Sequence, residues 1–273
     1  MIARQKQIKA YQAQTGKPLP NVTYTEHKGV LFLHLGTEWI QGAMRIGKPN
    51  EIVLEYVQQM MMWLLFNDKP KRIVQLGLGG GALTRFCHSQ FPDTRIIAVE
   101  LNPKVIDICR LMFHLPPNDG RLNVVEADAL DFVKQHAHLG NIDILQVDLY
   151  DEHASTPVLN TQEFYQLCAD SLAPNGMMTI NLFGSDRFSF KSSIAMIEPA
   201  FDAVVWLPLV HGANIVALAF KKAPSIEFDV LYERALNIRQ TMNLPAQTWV
   251  EGLVMWMYQD EEGDTSIENI YFD

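Results

Sequence analysis

From Lys71 to Phe220 the sequence alternates short apolar runs with segments of helical spacing, and this alternation restricts the fold more than any other feature. The expected strands are Arg72–Leu76, Arg95–Val99, Leu122–Val125, Ile142–Val147 and Met177–Leu182. The expected helices are Ala82–Gln90, Pro103–Phe113, Ala129–His136, Thr161–Leu172 and Phe188–Ile197. A strand joined through a helix to the next strand crosses over right-handed and builds a parallel sheet covered on both faces. Ala203–Leu209 and Asn214–Phe220 read as a hairpin around His211-Gly-Ala, adding an antiparallel edge. The fold class is α/β. Ahead of it, Val22–His27, Val30–His34 and Glu38–Met44 read as a small antiparallel sheet. Asn50 is expected to cap a helix from Glu51 to Phe66, and Val230–Thr241 and Thr248–Tyr258 read as helices. The expected division is 1–50 for a leader and small β domain, 51–222 for the α/β domain, and 223–273 for a helical extension.

In such a sheet, ligands bind beyond the carboxyl ends of the strands, near the point where strand order reverses. Four consecutive strand ends carry glycines, then an acid three times over. They are Gly77-Leu-Gly-Gly-Gly-Ala82, Glu100-Leu-Asn102, Glu126-Ala-Asp128-Ala129 and Asp148-Leu-Tyr-Asp151. Glycines let the chain turn tightly into the next helix and let a ligand approach backbone N–H groups. The run also fits the G-x-G-x-x-A form of a dinucleotide fingerprint. Glu100 stands 23 positions after Gly77, near the spacing at which a carboxylate accepts from ribose hydroxyls; its plainer role is to cap the next helix. Asp128 would accept the N6 hydrogens of an adenine; its plainer role is the N-cap of Ala129–His136, and the two are compatible. Asp148 and Asp151 would attract a cationic amine and deprotonate it. Against that stands a loop acid capping a turn before Thr156-Pro157.

Composition excludes more than it selects. A net charge of −9 argues against nucleic acid as a partner. Cys87, Cys109 and Cys168 fit neither a metal clip nor a disulfide framework, so they are read as buried apolar residues in a reducing cytosol, with no metal. The N-terminal charges are followed by no apolar core, so no signal peptide is expected. The longest apolar run, Met60–Phe66, is too short to span a bilayer, so no membrane partner is expected. A cytoplasmic protein is the expectation. The apolar helix Glu51–Phe66 is a candidate oligomer seam for a homodimer. His34, His88 and His114 read as structural, and His153 and His211 as loop residues over the pocket.

Asp148-x-x-Asp151, followed by Leu159-Asn-Thr-Gln-Glu-Phe-Tyr165, resembles without a gap the D-S-x-D-P…L-F-T-K-E-F-Y stretch of the spermidine synthases, the polyamine aminopropyltransferases. Trp39-Ile-Gln41 is similar to that family's V-I-Q, and Tyr56 falls at the tyrosine of its Y-[HQ]-E motif. The resemblance runs from about Val30 to Phe220. It implies a Rossmann-like, S-adenosylmethionine-methyltransferase-type domain behind a small antiparallel β domain. It also implies transfer of an aminopropyl group from decarboxylated S-adenosylmethionine, a co-substrate rather than a tightly bound cofactor, to a polyamine-type amine. On this resemblance Asp148 is the general base, and Tyr56 and Asp151 orient the amine. Gln41, Glu100, Asp128 and Ala129 hold the nucleoside, with Gly77, Gly79 and Gly80 beneath its sulfur end.

The departures lie on the amine side. The family loop is G-G-G-D-G-G, and its acid, which grips the aminopropyl ammonium, is here Gly80. The Y-[HQ]-E motif reads Tyr56-Val-Gln58, and the D-P-x-G-P gate reads Asp151-Glu-His-Ala-Ser. Q-G-E reads Asn181-Leu-Phe-Gly, and T-Y-P-S-G reads Leu209-Val-His-Gly. Glu152 or Asp186 would have to compensate for the lost acids. A bare glycine loop also suits the carboxylate of full S-adenosylmethionine, so a methyltransferase on the same scaffold is the second reading. A catalytically silent nucleoside-binding scaffold is the third. A nicotinamide dehydrogenase would leave Asp128 and the Asp148 pair unexplained.

Overall fold

The computed structural model describes residues 18–150, 159–183, 187–207 and 214–261. The chain opens with β1 (Val22–His27), β2 (Val30–Leu35) and β3 (Ile40–Arg45), an antiparallel sheet in that order. The β1–β2 turn is two residues long, with Lys28 at φ 49° and Gly29 at φ 75°. Two left-handed residues give the turn a twist matching that of its strands.

The α/β part follows as β4 (Arg72–Leu76), α2 (Ala82–Gln90), β5 (Arg95–Glu100), α3 (Pro103–Met112), β6 (Leu122–Glu126), α4 (Ala129–His136), β7 (Ile142–Val147), α5 (Gln162–Ser171), β8 (Leu172–Phe183), α6 (Arg187–Ile197), β9 (Ala203–Trp206) and β10 (Asn214–Phe220). Strand order is β6-β5-β4-β7-β8-β10-β9. The pairs from β6 to β8 are parallel, and β10 is antiparallel to both its neighbours. The chain runs outward from β4 to β6 and then returns to the other side of β4 as β7. The switch point therefore lies between β4 and β7, the strands that end at Gly77 and Asp148.

Local chemistry fixes several helix starts. Asn102 caps α3 by accepting from the Lys104 N–H at 3.1 Å, with Pro103 in the first turn. Thr161 caps α5 from outside the helix by accepting from the Phe164 N–H. β8 begins five residues before the expected strand. Leu172 pairs with Ile142, and the ladder shifts register before Met177 pairs with Ile144.

The expected helix Glu51–Phe66 is not continuous. It is replaced by a short α1 (Glu55–Gln59) and a 3-10 turn over Met62–Leu65, and Leu54 rather than Asn50 precedes α1. Met60 through Leu65 are each at most 1% exposed. A segment buried on every side has no polar face to sustain an amphipathic helix, so the helical spacing of its apolar residues is misleading. The same burial takes Met60–Leu65 out of the candidate oligomer seam, because its own chain covers it.

The cover includes α7 (Phe228–Met242) and α8 (Ala246–Glu261). Leu231, Ala235, Ile238, Trp249, Val250 and Leu253 join Met60–Leu65 and the α2–α3 face of the sheet in one apolar cluster. Arg234 donates to the Leu65 carbonyl at 2.7 Å. A second cluster fills the opposite face beneath α4, α5 and α6. The three cysteines are free and buried. Among the described residues, no helix is long and apolar enough to cross a membrane.

Trp249 is 1% exposed at the centre of the first cluster. Trp249→Ala should lower unfolding stability by about 3–5 kcal/mol, read as an earlier urea midpoint with an unchanged slope.

Candidate active site

The strand ends bring the predicted residues into a row. Backbone bonds continue past the strands: Gly77 donates to the Val99 carbonyl, Ala127 to Glu100 and Asp148 to Leu76. Strands about 4.8 Å apart therefore set Asp128, Glu100, Gly77 and Asp148 side by side along one edge of the sheet.

The glycine loop is held by close backbone contacts. Gly77 has φ +90°, and a β-carbon there would run into the Asp148 carbonyl. Gly79 has φ +51°, and its β-carbon would lie 2.7 Å from the Gln41 carbonyl oxygen. A β-carbon on Gly42 would strike the backbone nitrogen of Gly80. The loop is thus clamped between β3 and the end of β7. Beneath it, the Cys109 thiol donates to the Gly79 carbonyl at 3.1 Å, and the Arg85 guanidinium donates to the carbonyls of Gly80 and Pro49. Burial pushes the thiol up to about 12, which keeps it a donor. Burial lowers the guanidinium only to about 10, which keeps it cationic at neutral pH.

A cleft opens where these parts meet. Gln41, Gly42, Tyr56, Gly77, Gly79, Gly80 and Asp148 all line it. Asn181 donates to Asp148 Oδ1 at 2.9 Å, and the Tyr56 hydroxyl lies 3.4 Å from Oδ2. Desolvation raises the Asp148 carboxyl above the usual range, and these two donors oppose the rise. Tyr56 is raised well above its ordinary value, first by burial and then by the Asp148 charge, so its phenol keeps its proton.

Glu100 accepts from the Asn102 N–H at 2.7 Å and the Leu78 N–H at 3.1 Å. The glycine loop and the next helix start are therefore pinned to one carboxylate. Its pKa is raised by desolvation, against the lowering effect of those bonds. Asp128 is the N-cap of α4, its Oδ1 accepting from Leu130 and Asp131, and Ala129 opens that helix as a buried residue. The capping bonds run to Oδ1 alone, which leaves Oδ2 facing away from the cap. Asp151, Glu152, His153, Asp186 and His211 lie outside the described residues. Of the three histidines read as structural, His34 bonds Thr25 and His88 bonds Asp119, while His114 takes a left-handed turn at φ 52°.

Sequence reading missed the support beneath the site. Gln75 and Gln146 face each other across β4 and β7 in the core, each 1% exposed. Gln75 donates to Gln146 and accepts from Thr84, and Gln146 donates to the Met60 carbonyl at 3.1 Å. The chain of bonds ties the central strands to α2 and to the residue after α1, which carries Tyr56. A glutamine inside an apolar strand was the available signal, since it survives there only when paired.

The sheet order, the glycine turn and the row of strand-end carboxylates define a methyltransferase-like α/β fold. The spermine/spermidine synthase domain matches residues 54–193. The polyamine aminopropyltransferase of Chromobacterium violaceum is 36% identical over 237 residues, covering 86% of this chain and 90% of that protein. The polyamine aminopropyltransferase of Neisseria meningitidis serogroup B is 32% identical over 255 residues, covering 92% and 95%. A probable spermidine synthase from Corynebacterium glutamicum superposes with a TM-score of 0.67 at 20% identity, covering 87% of this chain and 95% of that one. The chain belongs to the spermine/spermidine synthase family.

Gly42→Ala should drive a methyl group into the Gly80 backbone and pry β3 from the loop. Nucleoside affinity should fall more than tenfold by calorimetry while the circular dichroism spectrum stays native, because the collision is confined to the loop.

Proposed function

We propose that this protein is an aminopropyltransferase of the cytoplasm. It would move the aminopropyl group of decarboxylated S-adenosylmethionine to a polyamine-type amine, with Asp148 as general base. The observation that carries the reading is the asymmetric bonding of the Asp148 carboxylate. Oδ1 is committed to Asn181 at 2.9 Å, while among the described residues Oδ2 has only the long 3.4 Å contact with Tyr56. An incoming amine can displace so weak a contact and bond Oδ2 itself.

The chemistry asks little else of the protein. The amine must lose a proton to Oδ2 before it attacks. Its nitrogen lone pair then forms a bond to the aminopropyl carbon. The carbon–sulfur bond breaks, and the sulfonium sulfur takes that electron pair as a neutral thioether. The carbon is already activated by the positive sulfur, so rate comes mainly from alignment. In this scheme Gln41, Glu100, Asp128 and Ala129 hold the nucleoside, and Gly77, Gly79 and Gly80 underlie its sulfur end. Tyr56 and Asp151 orient the amine. The scheme uses residues 1–50 as a cap, 51–222 as the nucleoside domain and 223–273 as an extension that braces it.

Gly80 favours a second reading, the methyltransferase. No acid stands in the loop to meet an ammonium, and a β-carbon on Gly80 would lie 3.2 Å from the Gly42 backbone, a tight contact with β3. Calorimetry with the two sulfonium nucleosides separates the readings. Binding of the decarboxylated ligand, followed by single-turnover transfer to putrescine or spermidine, supports the first; binding of the carboxylated ligand alone sinks it.

Asp148→Asn should cut transfer about 10²–10⁴-fold while nucleoside affinity holds. The stability sign is also fixed. A carboxyl raised by burial is more easily protonated in the folded protein than unfolded, so its ionisation costs stability as pH rises through the folded value. Asp148→Asn should therefore raise the melting temperature at pH 8 and leave it unchanged at pH 3. An unchanged melting temperature at pH 8 would contradict a carboxylate whose burial outweighs its two donors.

A further inference from the structure

The carboxylate of Asp148 stands at the head of a bonded chain that crosses three strands. Val147 pairs with Ile180 in the parallel ladder, which sets Asp148 level with Asn181. Across the next, antiparallel pair Val216 faces Asn181 and Asn214 faces Phe183, so Asn214 and Asn181 are diagonal neighbours on one face. Asn181 is 3% exposed. It donates from Nδ2 to Asp148 Oδ1 at 2.9 Å, and its own Oδ1 accepts from Asn214 Nδ2 at 3.0 Å. The Asn181 backbone carbonyl accepts from the Tyr150 hydroxyl at 2.8 Å, which holds this residue from a third side.

An amide side chain can be turned end for end at almost no steric cost, since its oxygen and nitrogen are alike in size. Facing a carboxylate, the two orientations differ in sign: the nitrogen donates, whereas the oxygen repels. The carboxylate itself favours the nitrogen end of Asn181, and Asn214 enforces the same orientation from the other side. Its Nδ2 offers a donor that only the oxygen of Asn181 can accept. We propose that Asn214 and Asn181 are positioning residues for Asp148, Asn214 fixing the end of the Asn181 amide that meets Oδ1 and so leaving Oδ2 as the proton acceptor.

This inference rests on the assignment of Asp148 as the base, and it adds the residues that set that base's geometry. Among the described residues, the titratable groups facing Asp148 and its partner are Tyr56 on α1 and Tyr150 beyond β7. Burial and the Asp148 charge raise Tyr56 well above its ordinary value, so its phenol keeps its proton, and the Tyr150 hydroxyl donates to the Asn181 carbonyl.

The test is a double-mutant cycle on N214D and N181L. The direct readout is the ¹³C titration of the Asp148 carboxyl, assigned by its loss in Asp148→Asn. The second readout is the pH profile of transfer from decarboxylated S-adenosylmethionine. N181L removes the donor, and the Asp148 titration should move up by about one pH unit, the size expected for one bond to a charged group. N214D offers an acceptor in place of a donor and should turn the Asn181 amide round. Its upward shift should exceed that of N214D in the N181L background, where only the added charge acts. N214S keeps a donor and should restore most of the native titration.

Equal shifts from N214D in both backgrounds overturn the relay. So does an Asp148 titration that ignores N181L. If the titration moves as expected while the acidic limb of the transfer profile does not follow, the relay stands and the assignment of Asp148 as base fails. A loss of kcat with unchanged KM is expected for N181L in the folded protein, as checked by its native circular dichroism.

Discussion

The glycine loop is clamped on both sides by other backbone, and the rest of the site hangs from that clamp. Gly42 of β3 presses on Gly80, and Gly77 presses on the carbonyl of Asp148. Both contacts are too close for any side chain. The small sheet, the first parallel strand and the fourth strand end thus meet at one point. Their meeting sets the cleft in which Gln41, Tyr56 and Asp148 stand together. Loss of one glycine would separate parts of the chain more than thirty residues apart in sequence.

Electrostatics within the cleft follow from this closeness. Burial disfavours ionisation of Asp148 and Glu100, and directed donors oppose it. The two acids differ in how those donors are placed. Glu100 has both oxygens engaged by backbone N–H groups, which suits a fixed acceptor. Asp148 has one oxygen held firmly and the other loosely, which suits a group that takes up and releases a proton.

Much of the α/β part was legible because its elements are short, strongly patterned and bounded by glycine, proline or capping residues. Arg72–Leu76, Ala82–Gln90, Ala129–His136 and Ile142–Val147 have the expected limits. Glu51–Phe66 failed because complete burial erases the contrast between faces on which helical periodicity depends. The strand-end acids were visible as a series, since they follow directly from where strands stop. Their support was not. Gln75 meets Gln146 seventy-one residues later, and Asn214 meets Asn181 across an antiparallel ladder. Such pairings depend on register, which no local pattern encodes. Gly80 was read as a lost acid, and the structure adds that a side chain there would press on β3 at 3.2 Å.

The placement of β10 between β8 and β9 bears on the order in which the protein is made. A chain leaving the ribosome completes the parallel strands and Asp148 well before residue 214 is available. Until then the edge of β8 that β10 will pair is open, and the Asn181 amide has Asp148 as a partner but not Asn214. On the proposed scheme, the nascent protein can own every strand-end carboxylate and still lack the pairing that finishes its base. Competence arrives late, with the strand that closes the edge.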